Sequence, residues 1–238
     1  MGVKAIVEKG FCCEEETQLT VQKTSLFSEG DGFTVYDAQA QIVFRVDTYG
    51  SDSRHLDQLV LMNASGNCIL TVHRKQRPSL HQRWEGFLGD RTEGQKPIFS
   101  VRRSFIIGRS SVTAEVYSEP AEEYQIEGSY PHRSCTFYCT SAAADCLRQP
   151  VAKIKRKVAP SANVMLDKDV FCLCLGPGFD GAFAMGLVLV LDQLNGDDND
   201  RDDDYDGTDG ADRAPDGDAF ESKAENGLSH CLCREPIP

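Results

Sequence analysis

Lys153-Ile154-Lys155-Arg156-Lys157 sets four cations within five residues of a 238-residue chain. In an extended strand Lys153, Lys155 and Lys157 share one face at a spacing of about 6.6 Å, with Ile154 and Val158 turned the other way. Three ammonium groups in such a row suit a phosphate or an anionic bilayer. A solvated sheet face carries the same residue types, so the run is a candidate site and the bland reading stands beside it. Arg102 with Arg103, and Arg74, Lys75 and Arg77, would extend the patch if the fold brought them near.

A second chemistry is spelled by Gly176, Gly178 and Gly181, a G-x-G-x-x-G between a strand-like and a helix-like run. That motif holds a pyrophosphate on bare N–H groups at a helix start. Asp180 sets a carboxylate there and repels it. After Leu194 the chain enters NGDDNDRDDDYDG, which has no second strand to complete a nucleotide-binding unit. A membrane span fails on length, since the unbroken apolar run is only Ala182 to Leu191 and a span needs about twenty residues. What remains is a short helix over about 179–194, apolar on every side, which other elements must surround. Asp180 suits its positive end and Asn195-Gly196 is a stop signal.

Sulfur and imidazole offer less. His132, Cys135, Cys139 and Cys146 could be spelled as a metal site, but Cys135 and Cys139 in one strand lie about 13 Å apart, too far for a zinc ion. Cys172 and Cys174 alternate with Phe171, Leu173 and Leu175 as buried strand thiols would. Cys12-Cys13 and Cys231-Leu232-Cys233 are candidates for acylation without an adjoining anchor. Asp202-x-Asp204-x-Asp206-Gly207 begins like a calcium loop, yet Arg213 stands where a bidentate Glu belongs. His55, His73, His81, His132 and His230 show no shared spacing, and no hydrolase, P-loop or zinc-protease motif is present. Trp84 reads as core packing, with no aromatic pattern of a nucleic-acid reader around it. The expectation is a non-enzymatic protein with no metal and no cofactor.

The elements that position these residues are mostly strands. Between Gln18 and Leu175, twelve runs of alternating or β-branched character recur: LTVQKT, FTVYD, IVFRV, QLVLMN, CILTVHR, RWEGFL, IFSVRRS, VTAEVYS, YQIEGSY, CTFYCT, VAKIKRK and VFCLCL. Turn signals separate them, among them Glu29-Gly30-Asp31-Gly32, Ala64-Ser65-Gly66-Asn67 and Gly89-Asp90-Arg91. Twelve strands followed by one wholly apolar helix predict a closed antiparallel barrel with the helix filling its interior, since closure removes the sheet edges.

Charge divides the chain differently. From Asn195 onward there are 14 acidic and 4 basic side chains, which leaves 23 acidic and 21 basic before it. The acidity belongs to the tail. The expected organisation is an N-terminal segment 1–17, a domain 18–194 and a disordered acidic tail 195–238. MGVKAIVEKG lacks a secretory h-region, and ten cysteines without one suggest reduced thiols in an intracellular protein.

The segments LTVQKTSL, GDGFTVYDAQAQIVFRV, LVLMNASGNCILTVHRK, LHQRWEGFLGD, IEGSYPHRSC, VAKIKRKV and KDVFCLCLGPGFDGAFAMGLVLVLDQL resemble the plant LURP-one-related proteins over about residues 11–194. The resemblance implies a tubby-like fold: a twelve-stranded antiparallel barrel around a central hydrophobic C-terminal helix. It implies kinship with tubby-like proteins and phospholipid scramblases, a membrane-tethered or transcription-linked role, and links to pathogen defence. It supplies no catalytic residues. Scramblases carry an acidic calcium-binding segment ahead of the helix, whereas here the Asp-rich run follows it. The expected function is binding, with Lys153, Lys155 and Lys157 contacting anionic phospholipid or phosphoinositide head groups. The alternative is an adaptor whose barrel surface and acidic tail contact proteins. Either would work in the cytoplasm, with plasma-membrane association or nuclear entry and no transmembrane span.

Overall fold

The structure, a computed structural model, describes residues 5–24, 32–47, 57–75, 83–90, 92–106, 109–140, 148–159 and 164–202. The strands are β1 (Thr17–Gln22), β2 (Gly32–Tyr36), β3 (Ile42–Asp47), β4 (Gln58–Asn63), β5 (Cys68–Arg74), β6 (Arg83–Leu88) and β7 (Phe99–Ile106). They continue with β8 (Arg109–Val116), β9 (Glu122–Ser129), β10 (Ser134–Cys139), β11 (Gln149–Arg156), β12 (Val158–Ala159), β13 (Val164–Met165) and β14 (Val170–Leu175). The helix α1 (Gly181–Asp202) ends the described chain.

Strands β1 to β11 form an antiparallel meander, and β14 closes the barrel by pairing with both β11 and β1. Each of the twelve runs read from sequence is one barrel strand. The short pair β12 and β13 forms a separate two-stranded sheet between β11 and β14. Two-residue strands carry no periodicity, and the sequence reading passes over them.

Period-two alternation sets the inner wall. Val21, Val35, Val46, Leu61, Val72, Val101, Ala114, Ile154 and Leu173 all point inward and are buried. They enclose α1, whose residues Ala182 to Leu191 are buried all round. An apolar helix without a polar face is stable only in such a sheath. Phe183 sits at the centre, with ring centroids 5.1 Å from Phe99 and 5.4 Å from Tyr124. Gly186 lets α1 approach β5, because a Cβ there would lie 2.5 Å from Leu70 Cδ2. Trp84 is buried in the same interior, as expected.

Two boundaries differ from expectation. The helix starts at Gly181 and runs to Asp202, past Asn195-Gly196. Gly196 keeps a helical backbone instead of flipping to positive φ, and Asn195 Nδ2 donates to Leu191 O at 2.6 Å, which satisfies a carbonyl of the preceding turn. The segment before β1 is part of the closed end rather than a separate stretch. Phe11 meets Phe44 at 4.7 Å, and Ile6 and Val7 pack on the core. The disordered tail proposed from composition lies outside the described residues beyond Asp202, as do most of the calcium-loop-like residues.

Candidate functional site

Register on the outer wall brings the basic run to three other strands. Lys155 lies opposite Cys172, Cys172 opposite Thr20, and Thr20 opposite Tyr36. One step along, Lys153 lies opposite Cys174 and Cys174 opposite Gln18. Side chains directly across an antiparallel ladder share a face. The inward neighbours Ile154, Leu173 and Leu19 are core residues, so these rows face out. All residues of these rows but Lys153, together with the turn after β2 and the end of β11, line a groove of about 790 Å³.

The three candidate lysines are placed unequally. Lys155 and Lys157 line the groove, joined there by Arg156. Lys153 is half-buried at the edge and is felt at Cys174, where its charge favours the thiolate. Lys157 is no longer on β11, yet its ammonium donates to Thr20 Oγ1 and so spans β14. Val158 does not join Ile154 on the buried face. The chain leaves the wall after Arg156, alternation stops there, and Val158 is 43% exposed at the groove's end. The carboxylate lining the groove, Asp37, accepts the N–H groups of Gln39 and Gln41 at 2.9 and 2.8 Å on Oδ1, which ties it to its own turn while leaving its charge in the groove.

The groove's floor is sulfur. Cys172 is buried and its Sγ accepts from Gln18 Nε2 at 3.0 Å. Burial pushes the Cys174 thiol up from its usual value, with Lys155 pulling the other way. A thiol so placed is protonated near neutral pH, and no described histidine lines the groove to take its proton. The lining combines three cations with hydroxyl and amide groups and one carboxylate.

The other cations do not join it. Around the barrel β7 stands four strands from β11 and β5 six, so Arg102, Arg103, Arg74 and Lys75 occupy other walls. Lys75 pairs with Glu85, Arg102 with Glu123, and Arg103 Nη1 donates to Leu194 O at 3.1 Å. Arg77 lies outside the described residues.

At the glycine motif the backbone donors are already committed. Gly176 N donates to Val151 O at 2.8 Å and Gly178 N to Cys13 O at 2.7 Å. Asp180, buried, takes the rest. Its Oδ1 accepts from Ala182 N at 2.9 Å and Phe183 N at 3.1 Å, capping α1. Its Oδ2 accepts from Ile6 N, Val7 N and Glu8 N at 3.0, 2.7 and 3.1 Å. Five N–H groups converge on one carboxylate, and the site that a pyrophosphate would use is a structural clasp.

Of the sulfur set, Cys135 is buried and Cys139 half-buried, while Cys146 lies outside the described residues. Among the described residues no group of three His, Cys, Asp or Glu side chains gathers as metal ligands would. Burial pushes the thiols of Cys12 and Cys135 up to about 11. Cys13 is exposed, and Cys231 and Cys233 lie outside the described residues.

Sequence reasoning missed Gln18, Thr20, Tyr36 and Arg156 as lining residues. The first three lie more than a hundred positions from the lysines, and only the closing strand β14 unites them. It also missed a polar cluster at the helix exit. There Lys23 Nζ and Tyr130 OH donate to Asp192 Oδ1 at 3.1 and 3.2 Å. Arg133 sits between the rings of Tyr130 and Phe171, 4.2 and 4.5 Å from their centroids.

Comparison with known proteins adds four findings. A family model described as LURP-one-related matches residues 17–192. Protein LURP-one-related 12 of Arabidopsis thaliana is 60% identical over 198 residues, which cover 83% of this chain and 87% of that protein. Protein LURP-one-related 5 of the same plant is 60% identical over 195 residues, covering 81% and 90%. A crystal structure of another Arabidopsis thaliana protein superposes with a TM-score of 0.57 at 21% identity, over 82% of this chain and 99% of that one, a likeness of fold alone.

Proposed function

The chain belongs to the LURP-one-related family, and we propose that it is a non-enzymatic binding module that holds an anionic phospholipid head group, a phosphoinositide foremost, in the groove over β1, β11 and β14. The observation that carries this reading is the convergence of Lys155, Arg156 and Lys157 on one concavity lined by a single carboxylate, Asp37, which its own turn holds in place. Phosphate oxygens would meet ammonium and guanidinium donors there, with Thr20, Gln18 and Tyr36 able to meet ring hydroxyls. Catalysis has no support in the same place, since the Cys174 thiol is held protonated and no described histidine lines the groove to activate it. No described helix is long and apolar enough to cross a membrane, and α1 is enclosed by the barrel. Membrane tethering in this reading therefore goes through the outer wall, and it is the step by which the protein would serve defence signalling.

The test is sedimentation of the full chain with neutral, phosphatidylserine and phosphoinositide vesicles at low and near-physiological salt. Each cation near an anionic surface contributes about 1 kcal/mol. Reversing both Lys155→Glu and Lys157→Glu should weaken binding by about a hundredfold or more. Binding that prefers phosphoinositide, survives near-physiological salt and is lost in the double variant supports the reading. Absence of binding to every vesicle overturns it.

A further inference from the structure

The groove ends on an apolar element that the barrel does not need. After Arg156 the chain leaves the wall, and Val158–Ala159 and Val164–Met165 pair as a small sheet of their own, β12 and β13. In its register Val158 stands directly opposite Met165, so the two side chains share one face. They are 43% and 58% exposed, and together they supply two of the four large exposed hydrophobic side chains among the described residues. The stem beneath them is fixed: Leu166 N donates to Lys157 O at 2.9 Å, Arg156 Nη2 to Leu166 O at 3.2 Å, and Arg133 Nε to Lys168 O at 2.7 Å. A firmly held stem presents an uncovered apolar pair.

Charge decides what covers it. Lys155, Arg156, Lys157 and Lys168 surround the hairpin's foot, offset by Asp37, Asp167 and Asp169. The balance favours an anionic surface but by little, and stable membrane attachment takes a second signal beside charge. An apolar side chain entering the acyl boundary is such a signal. Val158 lines the groove itself, so a head group seated there would bring the edge of the hydrocarbon to Val158 and its partner.

We propose that the hairpin of β12 and β13 is a membrane-inserting wedge, Val158 and Met165 entering the anionic bilayer whose head group the groove holds. The wedge rests on the reading of the groove as a lipid site, and one experiment separates the two. The full chain and a Met165→Trp variant are bound to phosphoinositide vesicles containing lipids brominated along the acyl chain. Trp84 is buried within the barrel, so quenching reports on position 165. A Val158→Ser, Met165→Ser variant is sedimented in parallel, with near-UV circular dichroism to verify the fold.

The expected result is quenching of the tryptophan at position 165, and about a tenfold loss of vesicle affinity in the serine variant with an unchanged salt dependence. If the wild type binds, the tryptophan is unquenched and the serine variant binds equally well, the wedge is overturned while the lipid groove stands. If the wild type binds no vesicle, both fall. A wild-type dimer in solution that the serine variant abolishes would also overturn the wedge, with a second copy as the occupant of the apolar pair.

Discussion

The buried part of α1 is anchored by one aspartate at its start and by another where it leaves the barrel, and the two are held differently. Asp180 at the entrance accepts five backbone N–H groups, two from the helix and three from residues 6–8. Asp192 near the exit is met by side chains, the ammonium of Lys23 and the phenol of Tyr130. Backbone donors cannot titrate, rotate away or be screened as an exposed ion pair is. The entrance is therefore a fixed joint, whereas the exit depends on a half-exposed lysine and on solution conditions.

The largest effect expected from breaking this contrast is at the entrance. Asp180→Ala leaves five N–H groups without their acceptor, two of them buried, and should cost about 3 kcal/mol in urea denaturation at any salt concentration. Asp180→Asn should rescue the helix cap but not the segment before β1, because an amide offers one oxygen and turns its NH₂ toward the remaining donors. Hydrogen exchange at the amides of Ile6, Val7 and Glu8 would separate the two roles. Equal protection there in Asp180→Asn and wild type would refute the clasp.

A smaller effect is expected at the exit. Lys23→Met should cost about 1 kcal/mol or less at low salt, shrinking as salt is added. A loss as large as that at Asp180, or one indifferent to salt, would erase the distinction between the ends.

A further effect is a matter of pH and sharpens the view of the interior they bound. The Cys135 thiol is raised to about 11 by burial, so the fold favours its neutral form. Its contribution is fully present below the unfolded value near 9.0 and is lost as pH rises through about 11. Urea midpoints should stay level from pH 7 to 8.5 and fall from about 9 to 11, with a shallower fall in Cys135→Ala. The buried phenol of Tyr130, also raised, acts in the same sense at still higher pH.

The parts of this molecule that were legible from its residues are those governed by local period. Alternation in VFCLCL or QLVLMN marks an inner face because each strand has one, and the unbroken apolar run after Asp180 demands enclosure wherever it is put. Lys153 and Lys155 share a face for the same local reason, whereas Lys157, read as the third of the row, lies past the end of β11. Closure followed from the strand count, but which residues meet across the barrel did not. Lys155 meets Thr20 and Tyr36 only because β14 is inserted between β11 and β1, and residues 6–8 offer Asp180 nothing but backbone, which every sequence has. Asn195-Gly196 is a competent stop signal, but a glycine ends a helix only if it turns left-handed, and Gly196 does not.

The closing position of β14 also has a consequence in time. Gln18 and Cys172, joined across the β1–β14 seam, are 154 residues apart in the chain. When a ribosome has delivered residues only as far as Arg156, all eleven strands of the meander exist, while the seam strand and the helix that fills the interior do not. The inner wall has nothing to close on until the last barrel strand and α1 emerge together. This topology predicts that the barrel closes late in synthesis, with the paired strands exposed to the solvent until then.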